Sequence, residues 1–291
     1  MAKSKHPPKH KSHGQKTRPQ HGVAAKLGPA RHGPASAPAK APRQPLMLWG
    51  THAVRAALAN PQRRVAAGWA TPSAQGELED SRSRRRDFAW STVTAAQLAA
   101  RLPDGAVHQG VAVAVEPLRR VPLDAILAPE ATARPLVVLD RVTDPHNVGA
   151  ILRSCAVFGA AALITADRHA PPESGALAKA AAGALDLVPW VRVANLARAL
   201  GAIRDAGWWV AGLDGSAEAT VAGTGLADGK SRTALVLGAE GQGLRRLTKE
   251  NCNILVRIPM QYANNAKCVN LIDSLNVSNA AAVALYELCR N

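Results

Sequence analysis

Asn147 and Arg153 in PHNVGAILRSC, Glu240 in LVLGAEGQGLRRL, and Ser274 and Asn276 in DSLNVSNAAAVALYE are the polar side chains best placed to do chemistry. In the first stretch, Pro145 and the polar run before it end a strand, and a helix starts near Asn147. Six residues of helix turn through about 600°, so Asn147 and Arg153 share no stripe and Asn147 must act from a loop or cap. A capping asparagine and a solvated arginine are equally open readings. In the second stretch, Gly238, Gly241 and Gly243 permit a tight turn and close backbone approach to a ligand. No Gly-Lys-Ser or Gly-Lys-Thr follows, and Glu240 would repel a phosphate, so a carboxylate accepting from a cation or a sugar suits this loop better. In the third, apolar Ile258 and Met260 followed by polar Ser274 and Asn276 could form a pocket with an apolar wall and a polar rim. The same polar cluster also suits a plain N-cap for the Ala280–Leu285 run.

These loops need a scaffold that brings them together. From Leu136 the chain alternates strand and helix, which predicts an α/β fold with a mostly parallel sheet covered on both faces. The expected strands are LVVLDRV, AALITAD, LVPWVRV, WWVAGLD, TALVLGAE and ILVRIPM, with helices at 147–158, 173–184, 195–206, 243–250 and about 275–290. Ligands of such sheets sit beyond the carboxyl ends of strands, and all three polar loops follow strands. Upstream, LMLWGTHAVRAALANP places Val54, Ala57 and Leu58 on one helical face between a Gly50–Thr51 start and a Pro61 stop. With the runs RVAAGWAT, TAAQLAARL and GVAVAVEPL, it predicts a small α/β domain over 46–118, joined through 119–134 to a larger one over 135–291.

Of the formal net charge of +15, ten positive charges lie in residues 1–45, which hold no acid; the first is Glu77. With eight prolines and few bulky apolar residues, this tail is expected to be disordered. Its polycationic character suits salt-sensitive nucleic-acid binding; a solubilising leader is the alternative. Cys155, Cys252, Cys268 and Cys289 make no CxxC pair, and His6, His10 and His13 lack ligand spacing, so no metal is expected. The start shows no secretory signal and no apolar run long enough to span a membrane, which points to the cytoplasm.

PHNVGAILRSC, LVLGAEGQGLRRL and RIPM with SLNVSNAAAVALYE together resemble motifs 1, 2 and 3 of the SpoU family of RNA ribose 2′-O-methyltransferases, in the SPOUT superfamily. WGTHAVRAAL and DGAVHQGVAVAVEPL are similar to the L30e-like RNA-binding domain of the branch that methylates a guanosine of large-subunit rRNA. The resemblance covers about 46–291. It implies a C-terminal trefoil knot, although knots are rare, S-adenosylmethionine as cofactor, RNA as partner and a homodimer. It also implies cofactor contacts at Gly238, Ile258 and Leu275, catalytic-site roles for Asn147, Arg153 and Glu240, and reaction or knot-holding roles for Ser274 and Asn276. A guanidinium is a poor base at neutral pH, so the role expected of Arg153 is to stabilise a developing alkoxide, with an RNA phosphate as proton acceptor.

One departure stands out. The family runs from IPM through a short glycine-containing turn into SLN, whereas QYANNAKCVNLID separates Met260 from Ser274 here. The alternatives are a tRNA 2′-O-methyltransferase and a non-catalytic RNA-binding or ribosome-assembly protein. The second draws on the basic tail and the altered loop, and retention of Asn147, Arg153, Glu240 and Asn276 argues against it. A nicotinamide dehydrogenase would need a glycine fingerprint that is missing.

Overall fold

A computed structural model describes residues 45–79, 85, 87–128, 134–226, 231–260 and 274–290. Residues 1–44 of the basic tail and the 261–273 loop lie outside the described residues. Two sheets organise the rest. The first has strands β1 (Leu46–Trp49), β2 (Val65–Ala70), β3 (Ala89–Thr92) and β4 (Val111–Val115) in the order β1-β4-β2-β3. Only the β2–β3 pair is parallel. Helix α1 (Thr51–Ala59) buries Ala53, Val54, Ala57 and Leu58, the stripe expected from a 3.6-residue repeat. Short helices α2 (Pro72–Glu77) and α3 (Ala95–Ala99) complete this part, the latter started by a capping box between Thr94 and Gln97. Strands β1 and β3 and helix α2 are additions to the sequence reading; β1 and β3 are four residues each, too short for an alternating pattern to show.

The second sheet is entirely parallel, with β5 (Leu136–Asp140), β6 (Ala162–Ala166), β7 (Trp190–Val193), β8 (Trp209–Leu213), β9 (Thr233–Gly238) and β10 (Ile254–Val256) in the order β10-β8-β9-β5-β6-β7. Strands β5 and β6 are buried at every residue, as central strands covered on both faces must be. The connection from the first sheet carries α4 (Leu123–Ile126) and a parallel bridge from Val121 to Val191. Its Val121, Leu123, Ile126 and Leu127 pack on the core around Leu136, Val138 and Ile164, so it is docked along the sheet.

Helix α5 (Pro145–Val157) follows β5 and buries Val148, Gly149, Ile151, Leu152 and Cys155. It packs against α6 (Gly175–Ala180), where a Cβ at Gly149 would overlap Ala180 and the Leu177 carbonyl. Helices α7 (Leu196–Asp205) and α8 (Arg246–Glu250) lie further along the chain, and α9 (Val277–Cys289) packs on α5. The small side chains Ala280, Ala281 and Ala284 are buried on α9, which lets the neighbouring backbone come close.

Candidate functional site

Strand order brings β5, β9, β8 and β10 side by side, so the loops leaving their carboxyl ends converge. A cavity of about 250 Å³ opens there, lined among others by Leu213, Gly238, Glu240, Ile258, Ser274 and Leu275. The three residues singled out for cofactor contact thus share one cavity. Leu275 is 41% exposed, an apolar side chain left facing this opening.

The glycine turn supplies one wall. Gly241 and Gly243 have φ of 74° and 62°, and the Gly243 N–H donates to the Ala239 carbonyl at 2.9 Å, closing the loop. Gly238 has a different role: a Cβ there would overlap the Gly243 carbonyl and the Leu244 nitrogen. Buried Asp140, at the end of β5, holds the far side of this turn. Its carboxylate accepts from the Arg245 N–H at 3.1 Å, Arg245 Nε at 2.7 Å and Thr248 Oγ1 at 2.6 Å. Asp140 is not legible in the sequence, because a strand-terminal acid gives no local sign that its partners lie over a hundred positions ahead. Asp140→Asn is expected to cost about 1–3 kcal/mol, since it weakens charge-assisted bonds in a buried setting; urea unfolding of the variant beside the parent measures it.

Asn276 joins the loops. It is the N-cap of α9, its Oδ1 accepting from the Ser278 N–H at 2.9 Å and the Asn279 N–H at 3.4 Å. Its Nδ2 donates to Asn147 Oδ1 at 3.0 Å and to Glu240 Oε1 at 2.5 Å. Asn276 is therefore the N-cap through one end of its amide and joins Asn147 and Glu240 through the other. Asn147 differs from its expected place. Asp144 is the cap of α5, accepting from the His146 and Asn147 N–H groups, so Asn147 sits within the first turn with its side chain free to face Asn276. Asp is as good a cap as Asn, and Pro145 suits the first helical position, which moves the start two residues earlier than expected.

Arg153 does not join this group. It lies six residues along α5, about 9 Å up the axis and about 240° round from Asn147. It is exposed and lines a separate crease with His52, Val157 and Leu187. Asp214, on the cavity wall, is held by Lys249 at 2.5 Å and by Ser216, which lower its carboxyl from the ordinary 3.8 to about 2. A depressed carboxyl stabilises the fold above its unfolded value and loses that contribution as pH falls through the folded one. The Asp214 contribution should thus be complete above about pH 4 and disappear towards pH 2. A Lys249→Met chain should show Asp214 titrating closer to 3.8 by carboxyl-detected NMR.

No group of three or more metal-binding side chains occurs among the described residues, nor a helix long and apolar enough to cross a membrane.

Residues 134–286 match the family model described as the SpoU rRNA Methylase family, and residues 47–121 match one described as RNA 2′-O ribose methyltransferase substrate binding. The chain is 37% identical over 252 residues to the 23S rRNA (guanosine-2′-O-)-methyltransferase RlmB of Photobacterium profundum, covering 84% of this chain and 97% of that one. The enzyme of the same name from Pseudomonas syringae pv. tomato is 37% identical over 254 residues, covering 84% and 94%. Among solved structures, the SpoU methyltransferase AviRb from Streptomyces viridochromogenes, in complex with the cofactor AdoMet, superposes with a TM-score of 0.66 at 26% identity, over 84% of this chain and 88% of that one.

Proposed function

Because this chain belongs to the SpoU rRNA methylase family, we propose that it methylates the ribose 2′-hydroxyl of a guanosine in 23S rRNA, using S-adenosylmethionine. The observation that carries this reading is the meeting of Asn147, Glu240 and Asn276 through one amide, with Glu240 on the wall of a cavity shared by Gly238, Ile258 and Leu275. The lining fits the cofactor: Leu213, Leu237, Ile258 and Leu275 offer an apolar wall to a planar base, and Glu240 and Asp214 offer carboxylates to donors and positive charge. The cofactor supplies an electrophilic methyl group when bound.

The residues of the chain do the positioning. Asn276 holds Glu240 and the Asn147 carbonyl, leaving the Asn147 amide N–H groups to orient a ribose oxygen, and Ser274 stands at the rim of the same cavity. Arg153 is assigned to the developing alkoxide, as a donor that stays protonated. Since Arg153 lies outside the cavity of its own chain, this role calls for a second copy. Val157 at 72%, Leu187 at 67% and Tyr286 at 53% exposure form apolar surface around Arg153 and on α9, suited to a homodimer contact.

On the same reading, the 135–291 domain carries a trefoil knot, 46–118 is a small L30e-like RNA-binding domain joined through 119–134, and the basic 1–45 tail, outside the resemblance, serves by its charge as an RNA tether in the cytoplasm. Calorimetric titration with S-adenosylmethionine, followed by methyl transfer to protein-free 23S rRNA, tests the reading. Binding with transfer supports it. A folded protein that does neither would instead be an RNA-binding protein without methyltransferase activity.

A further inference from the structure

Arg63 is 1% exposed, and it belongs to none of the groups described above. It leaves the small domain between α1 and β2 and enters a pair of carboxylates from the large one. Nε and Nη2 donate to the two oxygens of Asp186 at 2.7 and 3.1 Å, while Nη1 donates to Glu173 Oε1 at 2.5 Å and to the Glu116 carbonyl at 3.1 Å. The carboxylates are bound further. Asp186 Oδ1 accepts from Asn60 Nδ2 at 3.1 Å, and Glu173 Oε2 from the Leu118 N–H at 3.0 Å. The first residues after β4 are therefore pinned on both sides.

The surfaces around this clamp fit in one register. A Cβ at Gly175 would overlap the Trp49 ring and the Met47 carbonyl, and one at Gly183 would press on Ala56 and the His52 carbonyl. A continuous apolar core runs from Leu48, Val54 and Val113 to Val137, Ile151 and Leu177. On the surface, His52 of α1 faces Arg153 of α5 across a common crease. A buried ion triad is no better for stability than a well-packed apolar cluster, but its bidentate geometry selects one arrangement of the parts it joins.

We propose that Arg63 is a positioning residue, which with Asp186 and Glu173 holds the small domain in fixed register on the methyl-transfer domain and so determines which nucleotide reaches the cavity. This rests on the methyltransferase reading. Arg63→Met alone leaves the Asp186 and Glu173 carboxylates without their counter-charge and is expected to destabilise the junction, so the decisive chain combines Arg63→Met, Glu173→Gln and Asp186→Leu, which removes all three charges.

In the combined variant S-adenosylmethionine binding is unchanged, while kcat/KM on 23S rRNA falls by about 10²-fold through KM, and methyl groups appear at more than one nucleotide. Transfer to a short RNA hairpin too small to reach both domains stays at the parent rate. Arg63→Lys, which keeps the charge and loses the fork, recovers the single nucleotide with a raised KM. A folded combined variant that modifies the same nucleotide with the parent kcat/KM overturns the proposal. If the parent protein transfers no methyl group, the methyltransferase reading fails, and hydrogen exchange still decides the clamp: faster exchange over 46–50 and 175–183 in the combined variant supports it, and unchanged exchange overturns it.

Discussion

A Gly238→Val chain is expected to show no measurable S-adenosylmethionine binding by calorimetry and no methyl transfer, a loss of at least about 10²-fold, or about 2.7 kcal/mol. The cause is local. Any side chain at 238 must occupy the space held by the Gly243 carbonyl and the Leu244 nitrogen, so the 239–243 turn has to move away from the end of β9. That turn is one wall of the cavity and carries Glu240, which would lose its bond from Asn276. The fold itself should survive with a penalty of about 1–3 kcal/mol, typical of overpacking. Gly241→Ala is the control. It lies in the same turn with φ of 74° but with open space around its Cβ position, so it strains the backbone by about 1 kcal/mol without displacing the wall. Normal cofactor binding by Gly238→Val would remove the turn from the cofactor site.

Arg153→Ala should lower methyl transfer by about 10²–10³-fold, the usual effect of removing one donor to a developing oxyanion. Cofactor affinity and stability should hardly change, because Arg153 is exposed and its side chain makes no hydrogen bond or ion pair among the described residues. The larger consequence concerns where Arg153 acts. Mixed with Gly238→Val subunits, the two inactive chains should regain activity, since one site of each mixed dimer pairs an intact cavity with Arg153 from the other copy. Random exchange would restore about a quarter of the sites. No recovery in a demonstrated mixed dimer would mean that Arg153 serves its own chain.

Much of the scaffold was legible because it is written in short-range pattern. The strands β5 to β10 and the helices between them follow from apolar runs broken by Gly, Pro and Asp, and the observed strands lie within the expected segments. The start of α5 is ambiguous in sequence because both Asp144 and Asn147 are good caps, and only the packed helix shows which carboxylate or amide meets the free N–H groups. Strands β1 and β3 leave no trace in the pattern because four residues are too few to show a period.

The sequence by itself determined the α/β alternation, the three polar loops and the membership of a family, since each depends on residues close together along the chain. Tertiary structure alone decided that Asn276 grips Asn147 and Glu240, 129 and 36 positions away, and that Arg153 stands outside that group. It also decided that Arg63 closes on Asp186, 123 positions ahead, and that Asp140 holds Arg245 across 105. The physical reason is that such partners are chosen by strand order and buried charge. A strand's position in the sheet is set by pairing with distant strands, and a buried charge must find its counter-charge wherever the packed core presents one.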